Sequence, residues 1–212
     1  MPASLVHLVR HGEVFNPRGI LYGRLPGYHL SELGRLMAAA AAEQLAAHPI
    51  SAVFASPLLR AQESAAPWAE KFGVDVTTDE RLIEPFNRFE GGTFEFGPSV
   101  LFRPRAWPWV TNPFTPSWGE PYVSVVERML AAIDDAAASV DSGEVVLVSH
   151  QMPIVMVQRS LAGQKLWHDP RNRKCSLSSI TTLERDAGVF VQVGYQSPAA
   201  ELLAAAVDTG AV

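Results

Sequence analysis

Cysteine is almost absent from this chain, with Cys175 the one thiol in 212 residues. A single thiol closes no intramolecular disulfide and supplies no Cys-rich metal framework, which excludes disulfide-stapled and zinc-ribbon scaffolds and fits a reducing compartment. Charge is also sparse. Charged residues make up 18% of the chain and the formal net charge is -5, so no basic field exists to attract nucleic acid or an anionic membrane. Any anion site must therefore be a local concentration of Arg. No stretch has the roughly 18 apolar residues needed to span a bilayer, and the N-terminus lacks the basic start and long apolar core of a secretory signal. A cytoplasmic protein without nucleic-acid or membrane partners is expected. Internal repeats and breaks in composition are missing too, so residues 1–212 are read as one domain around one core.

What the chain does contain is an alternation of short apolar runs and longer helical stretches. The run from Leu5, with four apolar residues in five positions, reads as a buried strand that stops in Arg10-His11-Gly12-Glu13. Phe15 to Gly27 holds two Pro and three Gly and must be an irregular loop. Ser31 is placed to cap a helix over Glu32 to Ala47, and Ile50 to Ala55 is a second strand. Ser56-Pro57 is read as the cap and first-position proline of a helix from Leu58 to Phe72, stopped by Gly73. Val74 to Thr77 adds a short strand. This order favours parallel pairing through right-handed crossovers.

Arg81 to Val100 is irregular, and Leu101 to Tyr122 forms a tract too proline-rich for regular structure and too aromatic for a plain linker. Its Trp107, Trp109 and Trp118, with Arg103 and Arg105, are read as a lid or pocket wall. The spacing of Val126, Met129, Leu130 and Ile133 predicts one buried face on a helix from Val123 to Val140. Glu144 to Ser149 is the clearest buried strand, and it ends, like the first, in a histidine: His150. Pro153 is expected to start the next helix, to about Ala162. Ser178 to Glu184 and Val189 to Tyr195 predict a hairpin at one side of the sheet, and the Ala-rich tail from about 198 to 212 predicts a short helix or frayed end.

Two parallel strands that each end in a histidine bring His11 and His150 to one crevice at the carboxyl edge of the sheet, where open α/β sheets place chemistry. Phosphoryl transfer suits such a pair, because one nucleophile attacks in line while fixed positive charge surrounds the three equatorial oxygens. Arg meets that need best, since its planar fork contacts two oxygens at once.

The motifs agree. Arg10-His11-Gly12-Glu13 with Asn16 resembles the opening motif of the histidine phosphatase, or phosphoglycerate-mutase-like, superfamily. Tyr22-Gly23-Arg24 and Leu30-Ser31-Glu32-Leu33-Gly34 are similar to its loop-then-helix signature, and Ser56 to Ala65 resembles its second motif, with Arg60 at the phosphate-binding position. Arg81 to Gly91 resembles the segment holding the family's proton donor, Glu84 here, although Asn87 and Phe89 stand where that family usually has Gly and Trp. Gly119-Glu120 and Val148-Ser149-His150 complete the set.

The resemblance implies a three-layer α/β/α sandwich with a mainly parallel central sheet and an aromatic, proline-rich insertion at about 85–120. It implies that His11 takes the phosphoryl group, that Arg10, Arg60 and His150 hold its oxygens, and that Glu84 is acid and then base. Asn16, Tyr22, Gly23, Arg24 and Gln151 would line the substrate side. Glu13 is the substitute acid. For its role Glu84 must be protonated beforehand, which burial against Phe86 and Phe89 would favour, with an optimum on the acidic side or near neutrality. The function implied is hydrolysis of small phosphate monoesters, without cofactor or metal. A cofactor-dependent phosphoglycerate mutase and a non-catalytic phospho-ligand binder are the alternatives, and a homodimer is left open. His7 and His11 face the same way but lie about 13 Å apart on a strand, too far to share a metal. His29, His48 and His168 are read as surface or packing residues.

Overall fold

The computed structural model describes residues 3–92 and 119–208. The Trp-rich tract, with Arg103, Arg105, Trp107, Trp109 and Trp118, lies outside the described residues.

Among the described residues, six strands form one sheet: β1 (Leu5–Arg10), β2 (Ile50–Ala55), β3 (Val76–Thr78), β4 (Glu144–Ser149), β5 (Ile180–Asp186) and β6 (Val189–Gln196), in the order β3-β2-β4-β1-β5-β6. The first four strands of that order pair in parallel, while β5 and β6 form the expected hairpin and pair antiparallel at the β1 side. Helices cover both faces. α1 (Glu32–Gln44) and α2 (Leu59–Phe72) pack on one, and α3 (Tyr122–Ala138) and α4 (Gln151–Leu161) on the other. The sheet is therefore the middle layer of an α/β/α sandwich, mainly parallel as expected.

The burial pattern explains the continuous apolar reading of β4. All six of its residues are buried, because a central parallel strand has a helix over each face. Val146 and Val148 face the α1/α2 core with Trp68 at its centre, while Val145 and Leu147 face the α3/α4 core with Met129, Ile133 and Ile154.

Several boundaries differ from the sequence reading. α1 ends at Gln44 rather than Ala47, with Leu45 as its C-cap, and α3 ends at Ala138 rather than Val140. α2 begins at Leu59, and Ser56-Pro57 does not cap it; Leu58 is the N-cap and makes no side-chain cap bond. The Ser56 hydroxyl is instead engaged by His150. α4 begins at Gln151, so Pro153 sits inside its first turn, where no intrahelical N–H bond is lost. β3 is displaced to Val76–Thr78. Ser31 and Gly73 act as predicted: the Ser31 hydroxyl accepts from Gly34 N, and Gly73 ends α2 in the left-handed region.

Gly12 is required by a close approach of two backbones. A Cβ there would meet the Gly34 carbonyl oxygen at 2.3 Å, and a Cβ on Gly34 would meet that of Glu13 at 2.0 Å. The first turn of α1 thus packs backbone to backbone on the segment after β1, which only two glycines allow. Gly34→Ala is expected to lower stability by about 1–3 kcal/mol, the usual range for forced overpacking, measured as the shift in urea midpoint.

Candidate active site

The β1–β4 register pairs Arg10 with Ser149, the last residue of each strand. The next residues, His11 and His150, then leave the sheet side by side, with ring centroids 5.1 Å apart. Both are buried. Backbone bonds hold the pair, since His11 N donates to Ser149 O at 3.1 Å and Ser178 N donates to His11 O at 3.3 Å.

The ring of His11 is fixed in one tautomer. Its Nδ1 lies 2.7 Å from the Gly12 carbonyl oxygen, an acceptor only, so Nδ1 carries the proton and Nε2 carries a lone pair. Arg60 Nε–H donates to that Nε2 at 3.3 Å. Burial, with the charges of Arg60 and Arg10, holds the His11 pKa well below the usual imidazole value, so the ring is neutral near pH 7. His150 is kept neutral in the same way, first by burial and then by Arg60. Its Nε2 meets the Ser56 hydroxyl at 2.7 Å.

Arg60 comes from the first turn of α2. Its Nη2 donates to the Gly23 carbonyl at 2.7 Å, and its guanidinium lies 4.7 Å from the centre of the Tyr22 ring. Tyr22 and Gly23 therefore act on the site by holding Arg60. Ser64 ties the same turn to the opening motif, accepting from Gly12 N at 3.0 Å and donating to Arg60 O at 2.7 Å.

Glu84 follows a 3-10 turn at Glu80–Leu82 that Ser149 Oγ anchors by donating to Leu82 O at 2.7 Å. Its Oε2 lies 3.7 Å from His150 Nδ1. Burial raises the Glu84 pKa to about 7, against the pull of Arg60, Arg173, Arg10 and Arg128. The expected shelter by Phe86 is not found, because Phe86 is 47% exposed. The shift comes from the depth of Glu84 itself, which is 2% exposed beside His150. Asn87 has a local task, its Oδ1 accepting from Phe89 N at 3.0 Å to close a turn.

Among the described residues, the buried side-chain polar atoms without a hydrogen-bond partner include Arg10 Nε, His150 Nδ1 and Glu84 Oε2. Three such atoms at one crevice are costly unless a ligand satisfies them. Two of them belong to groups that suit an anion.

The remaining predicted residues are less central. Arg24 donates through Nε to the Glu84 carbonyl and through Nη2 to Glu120 at 3.2 Å. The Asn16 amide donates to Ile20 O at 2.8 Å and accepts from Ile20 N at 3.0 Å, closing its loop. Gln151 accepts from Arg173 Nη1 at 3.2 Å. Glu13 is turned elsewhere: one oxygen accepts from Ser31 Oγ and the other from Val207 N at 2.6 Å.

Two residues escaped the sequence reading. Arg173 acts on Glu84 through its charge and is bound to His168 and Gln151. Asp208, from the Ala-rich tail, accepts from Arg10 Nη1 at 2.8 Å and Nη2 at 2.6 Å, while Cys175 O accepts from Nη1 at 2.7 Å. Burial opposes the Arg10 charge, and Asp208 more than offsets it and raises its pKa. This end-on fork leaves Nε as the donor still to be used. Neither residue lies in a motif, so no signal in the sequence pointed to it.

Set beside known proteins, residues 6–197 match the family described as the histidine phosphatase superfamily (branch 1). The chain is 53% identical over 195 residues to an uncharacterized protein of Mycobacterium tuberculosis, covering 92% of this chain and 96% of that one. It is 29% identical over 171 residues to phosphoserine phosphatase 1 of Hydrogenobacter thermophilus, covering 76% and 78%. Among solved structures, a mycobacterial glucosyl-3-phosphoglycerate phosphatase in complex with VO3 superposes with a TM-score of 0.73 at 27% identity, covering 89% of this chain and 96% of that one. The chain belongs to the histidine phosphatase superfamily.

Removing Asp208 leaves the buried Arg10 guanidinium short of its anionic partner. Because Asp208 is 41% exposed, the loss for Asp208→Ala is expected to be about 1–2 kcal/mol rather than the 3–5 of a fully buried pair, read from urea unfolding. Glu84 gives a signed pH effect. A carboxyl whose pKa is about 7 in the fold costs nothing below its unfolded value, and stability is lost as pH rises through 7. Glu84→Gln, neutral throughout, should gain on the parent by about 3 kcal/mol at pH 8 and by almost nothing near pH 4, in the same assay.

Proposed function

We propose that this member of the histidine phosphatase superfamily hydrolyses small phosphate monoesters through a phosphohistidine on His11. The observation that carries the reading is the pairing of a neutral His11, with Nδ1 tied to the Gly12 carbonyl, and a buried Glu84 whose pKa is raised to about 7. A base-like nitrogen and a protonated acid thus face one crevice at the same pH.

In the first step the His11 Nε2 lone pair forms a bond to phosphorus as the ester P–O bond breaks. Glu84 gives its proton to the leaving oxygen. The imidazole then bears positive charge, which the Gly12 carbonyl stabilises through the Nδ1 proton. In the second step the Glu84 carboxylate takes a proton from water, whose oxygen attacks phosphorus, and the P–Nε2 bond breaks. Inorganic phosphate leaves, and His11 and Glu84 return to their starting protonation. Arg10 Nε, Arg60 and His150 Nδ1 are the donors assigned to the phosphoryl oxygens, with His150 Nδ1 protonated in that complex while Ser56 donates to Nε2. No step needs a metal.

Hydrolysis is preferred to isomerisation on the likeness to the glucosyl-3-phosphoglycerate phosphatase over 89% of the chain; the curated relatives do not separate the two, since a phosphoserine phosphatase and a probable phosphoglycerate mutase are each 29% identical. A chromogenic phosphate ester with chelator present should be turned over, and His11→Ala should lose at least about a thousandfold of that rate. Equal turnover in both would sink the proposal. With an alkyl phosphate, whose leaving oxygen needs its proton, kcat/KM should fall about tenfold per pH unit above pH 7 as Glu84 ionises. Supplying 3-phosphoglycerate with 2,3-bisphosphoglycerate should release phosphate and show no fast isomerisation.

A further inference from the structure

A second cluster of titratable side chains lies on the sheet away from His11. His7 is in β1, Glu144 is the first residue of β4, and His48 stands in the connection between α1 and β2. His7 Nε2 and His48 Nδ1 both lie 2.8 Å from the same oxygen, Glu144 Oε2. The two rings are edge-on, with centroids 5.7 Å apart. All three donor atoms lie within 4.8 Å of one another.

We propose that His7, His48 and Glu144 form a binding site for a zinc-class divalent ion, remote from the candidate active site. Two imidazoles and one carboxylate are a donor set that zinc and its neighbours accept, whereas magnesium and calcium favour oxygen alone. A tetrahedral ion with bonds of about 2.0–2.1 Å holds its ligand atoms roughly 3.3 Å apart. The three atoms reach that spacing by shifts of about an ångström. His48 Nδ1 and Glu144 Oε2 need only separate slightly, and His48, 38% exposed, is free to give way and opens the fourth position to solvent.

The surroundings supply what an ion site requires beyond its ligands. Thr182 Oγ1 lies 3.1 Å from His7 Nδ1, in the place of the group that orients a metal-bound imidazole through its other nitrogen. In the metal-free protein His7 and His48 donate their protons to the shared Glu144 oxygen. When an ion takes Nε2, the His7 proton moves to Nδ1 and is received by Thr182, and the His48 proton moves to its exposed Nε2. No net charge on the imidazoles changes. The same arrangement explains why His7 finds no partner in His11: its partners come from other strands and from the α1–β2 connection.

The site joins β1, β4 and the α1–β2 connection, so occupancy acts as a cross-link. The test uses the whole chain and does not depend on turnover. Zinc sulfate is added to the parent, to His48→Ala and to His11→Ala, and retained metal and Tm are measured after desalting. The parent and His11→Ala are expected to hold about one zinc more per chain than His48→Ala, and zinc should raise Tm by roughly 5 °C or more only where His48 is present. Magnesium should do neither. His48→Gln is the second variant if the alanine form unfolds. Equal zinc retention with and without His48, or loss of the bound zinc in His11→Ala, overturns the proposal.

Discussion

The parallel register of β1 on β4 is the constraint on which the rest of the site depends. It sets Arg10 beside Ser149, and the histidine after each strand end follows from that alignment alone. A slip of one residue would turn every side chain of β1 to the opposite face. His11 would then lie in the wrong layer, and Arg10 would lose Cys175 and Asp208. Such a slip would carry the buried Arg10 and His7 away from their polar partners into apolar surroundings, which is the costly part.

Burial then sets the protonation states. The same depth that keeps His11 and His150 neutral makes Glu84 hold its proton, because each is denied the water that would stabilise its charged form. Arg60 and Arg10 reinforce the neutrality of the histidines and oppose the neutrality of Glu84. For Glu84 burial wins, and that outcome makes the acid available near pH 7. Arg10 tolerates the same burial only with an anion beside it, which the tail provides through Asp208. Segment 199–208 is thus part of the site's electrostatics, although its composition suggested only a short helix, which it has at Leu203–Ala205, or a frayed end.

Most of the layer structure was legible in the residues. β2 and β4 have the bounds read from the residues, and β4 was the clearest because continuous burial and continuous hydrophobicity are the same fact in a central parallel strand. Helix ends were less legible. Ser56 looked like a cap, but its hydroxyl has a stronger use in bonding His150, and no local pattern announces a partner 94 residues away. His11, His150 and Arg60 were legible as candidates because each sits beside a strand end or helix start, whereas Glu84, beyond a 3-10 turn, was reached through the resemblance of its segment alone. Asp208, Arg173 and the His7–His48–Glu144 cluster were not legible, because each is defined by a tertiary contact between segments with no shared pattern. His48 in particular reads as an ordinary residue beyond a helix until the fold places it against Glu144.

The central claim is that His11 Nε2 is the atom that accepts the phosphoryl group, and direct trapping tests it best. The protein is mixed with a phosphate monoester, quenched in alkali within the first turnover, digested and analysed by mass spectrometry. The account predicts acid-labile phosphate on the peptide carrying His11, attached at Nε2, and none in His11→Ala. Phosphate on any other residue, or steady turnover with no phosphorylated His11 at any time, would contradict it.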